Sequence, residues 1–284
     1  MEFAKGHGTE NDFVVLPDPD GALDLTPARV VALCDRRRGL GADGVLRVVR
    51  WRALGEQGPS PEPGVEWFMD YRNADGSVAE MCGNGVRVFA RYLATHGLLV
   101  DGPEAELLVG TRAGVRRVRF AGGDGARGAI SVDMGAVEVG GKSAAQVAGQ
   151  LLPGIAVDVG NPHLACITRR PLDELDLTRP PGYDPELFPD GVNVEFVSPL
   201  GVGGEVAMRV YERGVGETRS CGTGTVAAAV AALHDAGRET GTVDVRTPGG
   251  RLRVTVGPGR ATLTGPAVIV AEGRLDPAWW AAQQ

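Results

Sequence analysis

Two stretches of this 284-residue chain follow one plan, and no other feature narrows the possible folds as much. AEMCGNGVRVFARYL (79–93) and TRSCGTGTVAAAVAAL (218–233) each run strand, polar turn, Cys-Gly-x-Gly, helix. Their cysteines, Cys82 and Cys221, stand 139 residues apart, almost half the chain. A repeat at that spacing predicts one internal duplication, two like halves with a site between them. The halves are expected at 1–125, carrying Cys82, and 126–264, carrying Cys221, across the glycine-rich AGGDGARG (121–128). The segment from about 265 to 284 is expected to pack back onto the first half.

Strands surround both helices in the pattern. DFVVLP (12–17), VLRVVRW (45–51), VEWFMDY (65–71), ELLVG, VRRVRF and AISVDMG read as strands in the first half. GIAVDVG, HLACIT, NVEFV, EVAMRVYE, VDVRT, RLRVTV and AVIVAE read so afterwards. Thr26 and Pro27 open an additional helix through RVVALCDRR. EQGPSPEPG (56–64) and the acid- and proline-rich 171–191 are expected as surface loops. With 43% hydrophobic and 23% charged residues, wholesale disorder is excluded. The 43 glycines show no collagen period, and base composition of the coding sequence accounts for most of them.

A net charge of −7, without a basic run beyond Arg36-Arg37-Arg38, argues against a nucleic-acid partner. That run is read as a solvated helix end. No apolar stretch is long enough to span a membrane, and the N-terminus carries no secretory pattern. Four scattered cysteines without a CxxC pair point to free thiols in a cytoplasmic protein and away from a metal site.

A cysteine just before a helix sees several unpaired amides and the positive end of the helix dipole, and both favour thiolate. Glycines after it let an anion come close to those amides. Two such elements suit inversion of a stereocentre, where one thiolate removes a proton from carbon and one thiol returns it from the other face. Amides of Gly83, Asn84, Gly222 and Thr223 would hold an adjacent carboxylate as charge develops on it. No cofactor is expected: only Lys5 and Lys142 could form a Schiff base, and neither has a site-like context.

The segments KGHGTENDFVV (5–15), MDYRNADGSVAEMCGNGVRVFARY (69–92), VGNPHLA (159–165), DGVNVEFV (190–197) and YERGVGETRSCGTGTVAAA (211–229) resemble those of diaminopimelate epimerases, in order and over nearly the whole chain. The resemblance implies an α+β fold of two pseudosymmetric domains, each a sheet or barrel wrapped around a central helix. It implies cofactor-independent interconversion of LL- and meso-diaminopimelate, in lysine and peptidoglycan biosynthesis, by a homodimer. Cys82 and Cys221 become the acid/base pair, with Gly83-Asn84 and Gly222-Thr223 on the reacting carboxylate. Asn11, Asn73, Asn161, Asn193 and Arg213 would bind the distal half of the substrate, with Glu212 near an ammonium group. His163 and Glu212 would tune the thiols. Some relatives place a substrate-contacting glutamine where this chain has Gly44, so that contact is not carried over.

Other residues read more plainly. GLGADG (39–44) matches a dinucleotide-binding pattern by letter, yet a helix precedes it and a strand follows, the reverse of the required order. Cys34 and Cys166 lie in apolar runs and are expected in the core. His7 is expected as a local hydrogen-bonding residue near Asn11, and Trp279-Trp280 as cover for a core edge. Proline-type racemases are the nearest alternative, but they usually carry histidine at the position of Asn84 and lack the YERGVGET run. A redox-active thiol pair would call for CxxC.

Overall fold

The structure, a computed structural model, describes residues 1–55, 59–99, 102, 106–121 and 128–283. It comprises two compact units, Met1–Val132 with Pro266–Gln284, and Asp133–Gly265. The boundary expected at 125/126 and the first three residues of the loop 56–64 lie outside the described residues.

In the first unit β1 (Glu2–Gly8) and β2 (Asn11–Pro17) form a hairpin. Its two turn residues, Thr9 and Glu10, have φ of 51° and 63°, as a two-residue turn matched to strand twist requires. Helix α1 (Pro27–Cys34) starts where Thr26 accepts a hydrogen bond from the Arg29 amide. There follow β3 (Gly44–Arg50), β4 (Trp67–Asn73), α2 (Gly83–Thr95), β5 (Leu107–Gly110), β6 (Arg116–Ala121) and β7 (Ala129–Ala136), of which Ala129–Val132 belong to this unit. The last strand of the chain, Val268–Arg274, pairs antiparallel with β1. Trp279 and Trp280, in the helical turn Pro277–Ala281, pack on the edge of the core built by Val14, Val30, Leu33 and Cys34.

The second unit holds β8 (Glu138–Val147), β9 (Gln150–Asp158), β10 (Pro162–Ile167), β11 (Asn193–Val197), β12 (Glu205–Glu212), β13 (Gly216–Thr218), α3 (Gly222–Asp235), β14 (Gly241–Thr247), β15 (Gly250–Gly257) and β16 (Arg260–Gly265).

Strand directions expose the duplication more clearly than the residues do. From β1 to β7 successive neighbours pair antiparallel, parallel, antiparallel, parallel, antiparallel, antiparallel. From β9 through β12 to β14, β15 and β16 the order of directions is the same. A parallel step needs a crossover rather than a hairpin. Helices α2 and α3 lie within the second crossover of each unit, and α1 within the first crossover of the first.

Both cysteine-led helices are surrounded by strands of their own unit. Every residue of α3 from Thr225 to Leu233 is buried against β9, β10, β11, β12, β14, β15 and β16, which explains why VAAAVAAL is apolar all round. Helix α2 is buried from Gly83 to Leu93, Arg87 and Arg91 included. The fold class is therefore mixed and sheet-dominated, each unit a sheet wrapped around one helix.

The stretch 171–191 is more than a surface loop. It belongs to the crossover between parallel β10 and β11, the place α1 takes in the first unit. Leu175, Leu177 and Phe188 anchor it in the core of the second unit, and Arg209 donates to the carbonyls of Leu172 and Leu175. Strands β1 and β8 escape a sequence reading because Lys, Gly, Ser and Gln break their apolar alternation, β13 because it is three residues long, and β16 because only Ala261 and Leu263 mark its buried face. Among the described residues no helix is long and apolar enough to cross a membrane.

Candidate active site

Cys82 is the N-cap of α2. Its backbone is extended, and its sulfur accepts from the amide of Gly85 at 3.4 Å, the place a serine or aspartate oxygen usually takes. The half-buried thiol donates to Asn11 Oδ1 at 3.5 Å. Asn11 sits at the first position after the hairpin turn. Its Nδ2 donates to Asp43 Oδ2 at 2.8 Å, so Oδ1 must face Cys82, where it also accepts from Asn84 Nδ2 at 3.2 Å. The Asn84 side chain is fully buried and passes the network on to Arg87 Nη2 at 2.9 Å. What Asn84 can offer a carboxylate is its helix-end amide, not its side chain.

Arg87 is the largest fully buried side chain among the described residues, and its bonds to Asn84, Thr9, Gly83 and Pro266 all go to neutral oxygens. Burial lowers its pKa to about 10, opposed by the neighbouring Cys82 sulfur. The first unit thus holds a buried cation one helical turn from its cysteine.

Two residues beside this network have no site role in the sequence. Asp43 orients Asn11, and Arg36 joins Asp43 at 2.7 Å to Asp12 at 2.8 Å. Arg36 is therefore not merely a solvated helix end; it and Lys5 hold the Asp12 carboxyl at about 2 despite burial. Asn73 closes β4 with its Nδ2 on Ser77 Oγ at 3.0 Å, in strand register with Gly44. A Cβ on Gly44 would lie 2.6 Å from the Arg72 carbonyl and 2.7 Å from the Tyr71 ring. The local backbone accordingly excludes a side chain at that position.

Cys221 repeats the geometry on α3: extended backbone, with the sulfur accepting from the Gly224 amide at 3.4 Å. Thr223 Oγ1 lies 3.6 Å from the sulfur. Its electrostatics correct the expectation that a helix end favours thiolate. Burial first, then the carboxylates of Glu212 and Glu195, push this thiol well above its ordinary value, and the contacts to Thr223 and Gly224 do not offset them. Cys221 keeps its proton.

Around it, Glu212 ends β12 and accepts from the Thr218 hydroxyl. The adjacent Arg213 is exposed and donates from Nη1 to the Asp190 carbonyl at 2.9 Å. Asn193 has both ends of its amide engaged, donating to Pro162 O at 3.1 Å and accepting from Arg213 N at 3.0 Å. It tethers the start of β10 to the end of β12. His163 is fully buried, with Nδ1 2.7 Å from Glu195 Oε1 and Nε2 3.1 Å from Asn161 Oδ1. Glu195 was missed, although a charged residue inside NVEFV, the buried strand β11, was a signal.

Helix α3 leaves no room at its third residue. A Cβ on Gly224 would stand 2.6 Å from Glu195 Oε1 and 3.3 Å from Cys221 Cβ, whereas one on Gly85 would meet only side-chain carbons, the nearest at 3.3 Å. Gly224→Ala is expected to cost roughly 1–3 kcal/mol, the usual penalty for overpacking, and Gly85→Ala clearly less. Thermal melts of the two variants check the order.

Cys34 and Cys166 are core thiols, raised by burial to about 11 and about 12. His7 accepts from the Glu10 amide at 3.3 Å, a local turn contact. Among the described residues no group of three or more His, Cys, Asp or Glu is arranged to hold a metal.

Known proteins share this plan. Solved structures of a hydroxyproline epimerase from Agrobacterium vitis (TM-score 0.69, 17% identity, 99% of this chain and 94% of that one) and a Bacillus anthracis phenazine biosynthesis protein of the PhzF family (TM-score 0.68, 16% identity, 96% and 98%) have the same fold. Curated diaminopimelate epimerases of Rhodococcus jostii and Mycolicibacterium smegmatis are each 58% identical to it, over 99% of both chains. The family profile described as diaminopimelate epimerase matches residues 3–140 and 155–270. With the profile and full-length relatives in agreement, the chain belongs to the diaminopimelate epimerase family.

Proposed function

We propose that this protein is an isomerase that interconverts LL- and meso-2,6-diaminopimelate without pyridoxal phosphate, supplying lysine and peptidoglycan biosynthesis. One observation carries the reading: each unit caps its central helix with a cysteine whose sulfur accepts from the third helical amide at 3.4 Å. Cys82 and Cys221 act as base and acid on opposite faces of the α-carbon. In the direction in which Cys221 supplies the proton Cys82 is the base, and the roles exchange in reverse. The carbanion gains its stability from the adjacent carboxylate, held by the first amides of α2 (Gly83, Asn84) and α3 (Gly222, Thr223), whose dipoles are in place before charge develops.

Asn11, Asn73, Asn161, Asn193, Glu212 and Arg213 are proposed to bind the rest of the substrate. Glu212 suits an ammonium group and the Arg213 guanidinium a distal carboxylate. Asn193 acts by holding Arg213 in place. Neither lysine suits a Schiff base: Lys5 is ion-paired with Asp12 at 2.6 Å, and Lys142 lies on exposed β8. The proposal extends to a cytoplasmic homodimer, resting on the free cysteines and on the resemblance, with a small-molecule substrate and neither nucleic acid nor membrane as partner.

In deuterium oxide, the reduced protein without added cofactor should place deuterium at the α-carbon of LL-diaminopimelate and generate the meso isomer, while proline remains unlabelled. Labelled proline, or no exchange into diaminopimelate, would sink this reading.

A further inference from the structure

The duplication supplies an internal comparison. In the first unit Phe13 is in register with Gly44, and Val15 with Leu46; in the second His163 is in register with Asn193, and Ala165 with Glu195. His163 and Glu195 thus occupy the places of Phe13 and Leu46. The contacts agree: a Cβ on Gly85 would meet Leu46 and Phe13, and one on Gly224 would meet Glu195. Under the first turn of one cysteine-led helix the fold is content with two apolar side chains. Under the other it buries a histidine and a glutamate, both fully enclosed, and Glu195 Oε2 finds no hydrogen-bond partner among the described residues. Packing alone does not call for that.

The pair controls a third residue. Asn161 Oδ1 faces His163 Nε2, so Nε2 carries the hydrogen and Nδ1 faces Glu195. Whether the bridging proton sits on Nδ1 or on the carboxyl, the ring keeps Nε2–H toward Asn161. The Asn161 oxygen is thereby occupied, and its NH2 is the end left to present. The equivalent Asn11 has the opposite polarity: Asp43 takes its NH2, and its oxygen accepts from Asn84 and from the Cys82 thiol.

We propose that Glu195 is a positioning residue which, through His163, locks the Asn161 amide as a hydrogen-bond donor toward an anionic group of the substrate, while Asp43 locks Asn11 as an acceptor. The assignment rests on the function proposed above and adds a specificity device to it: two asparagines at equivalent places, set to opposite polarity by the groups behind them.

The test transplants the apolar pair of the first unit into the second. His163→Phe with Glu195→Leu should fold with an unchanged or higher Tm, and KM for diaminopimelate should rise about tenfold, the loss of one hydrogen bond to a charged group, with a smaller change in kcat. Glu195→Gln still offers a partner to Nδ1, so it should keep KM within about twofold of wild type. Nitrogen-15 shifts of the His163 ring, read without substrate, should show the hydrogen on Nε2. Loss of folding in the double variant, an unchanged KM there, a Glu195→Gln variant as impaired as the double, or an Nε2 without hydrogen would each overturn the proposal. If the wild-type protein leaves diaminopimelate unexchanged, the proposed function fails, and the ring spectrum still decides whether Glu195 sets the tautomer.

Discussion

Cys82→Ala and Cys221→Ala should each reduce epimerase turnover by roughly 10²–10⁴-fold, the range of a positioned acid or base, while leaving the fold intact. The removed atom is an N-cap acceptor on a 3.4 Å contact in both cases, and loss of a cap costs about 1 kcal/mol. The variants should differ in a diagnostic way. In a two-base mechanism the thiol that takes the proton from one epimer can protonate the intermediate only to regenerate that epimer, and its partner on the other face makes the other. Each variant should therefore lose solvent-proton exchange mainly with the epimer whose proton its missing thiol removes, and in opposite senses. Exchange of LL- and meso-diaminopimelate, followed separately by mass, measures this. Equal retention of exchange with both epimers in either variant would exclude a two-base mechanism.

A companion experiment addresses the unequal environments of the thiols. Alkylation depends on thiolate and on access. Cys34, Cys166 and Cys221 are buried and hold their protons, whereas Cys82 is half-buried. Limited iodoacetamide at neutral pH should mark Cys82 first, as peptide mapping would show. First labelling at Cys221 would contradict the burial and the carboxylate neighbours that set this thiol apart.

The second large effect concerns stability. Asp70, on β4 and 1% exposed, accepts from Arg72 at 2.9 Å and Arg112 at 2.6 Å, with Arg47 at 3.5 Å. Arg47 also pairs with Asp18 at 2.5 Å. Asp70→Ala would leave three guanidinium groups around an emptied carboxylate site. Breaking a buried pair from one side costs about 3–5 kcal/mol, so a fall in Tm of several degrees is expected. The pH dependence follows. Burial would raise the Asp70 pKa, but the bonds from Arg72 and Arg112 outweigh it and hold the carboxyl below 3.8. A carboxyl with a depressed folded pKa stabilises fully above its unfolded value and loses that contribution as pH falls through the folded one. The Tm gap between wild type and Asp70→Ala should be wide at neutral pH and close in acid below about pH 4. A gap independent of pH would assign the effect to packing instead.

Much of the site was legible in the chain because it is built on local rules. A residue ahead of Gly-x-Gly and an apolar run has to be an N-cap, so Cys82 and Cys221 could be located from their neighbours alone. Cys34 and Cys166 were equally plain as packing, since thiols inside buried apolar runs have no polar neighbour in sequence. Gly44 could be recognised as a departure, though its neighbours Tyr71 and Arg72 had to be seen before its lack of a side chain had a cause.

What the chain could not disclose is which groups face one another across the sheet. Asp43 reaches Asn11 from 32 residues away, and Glu195 reaches His163 at the same separation. Both are set by strand register, which depends on packing rather than on adjacent residues. The thiol environments differ for the same reason. The helix dipole is local and acts alike on both cysteines. Desolvation and the carboxylates that raise Cys221 come from β11 and β12, brought there only by the fold. By itself the sequence determined a duplicated chain with two helix-capping cysteines and the chemistry they support. The tertiary structure alone decided that the halves are unequal, because the charge a buried group feels is that of its neighbours in space.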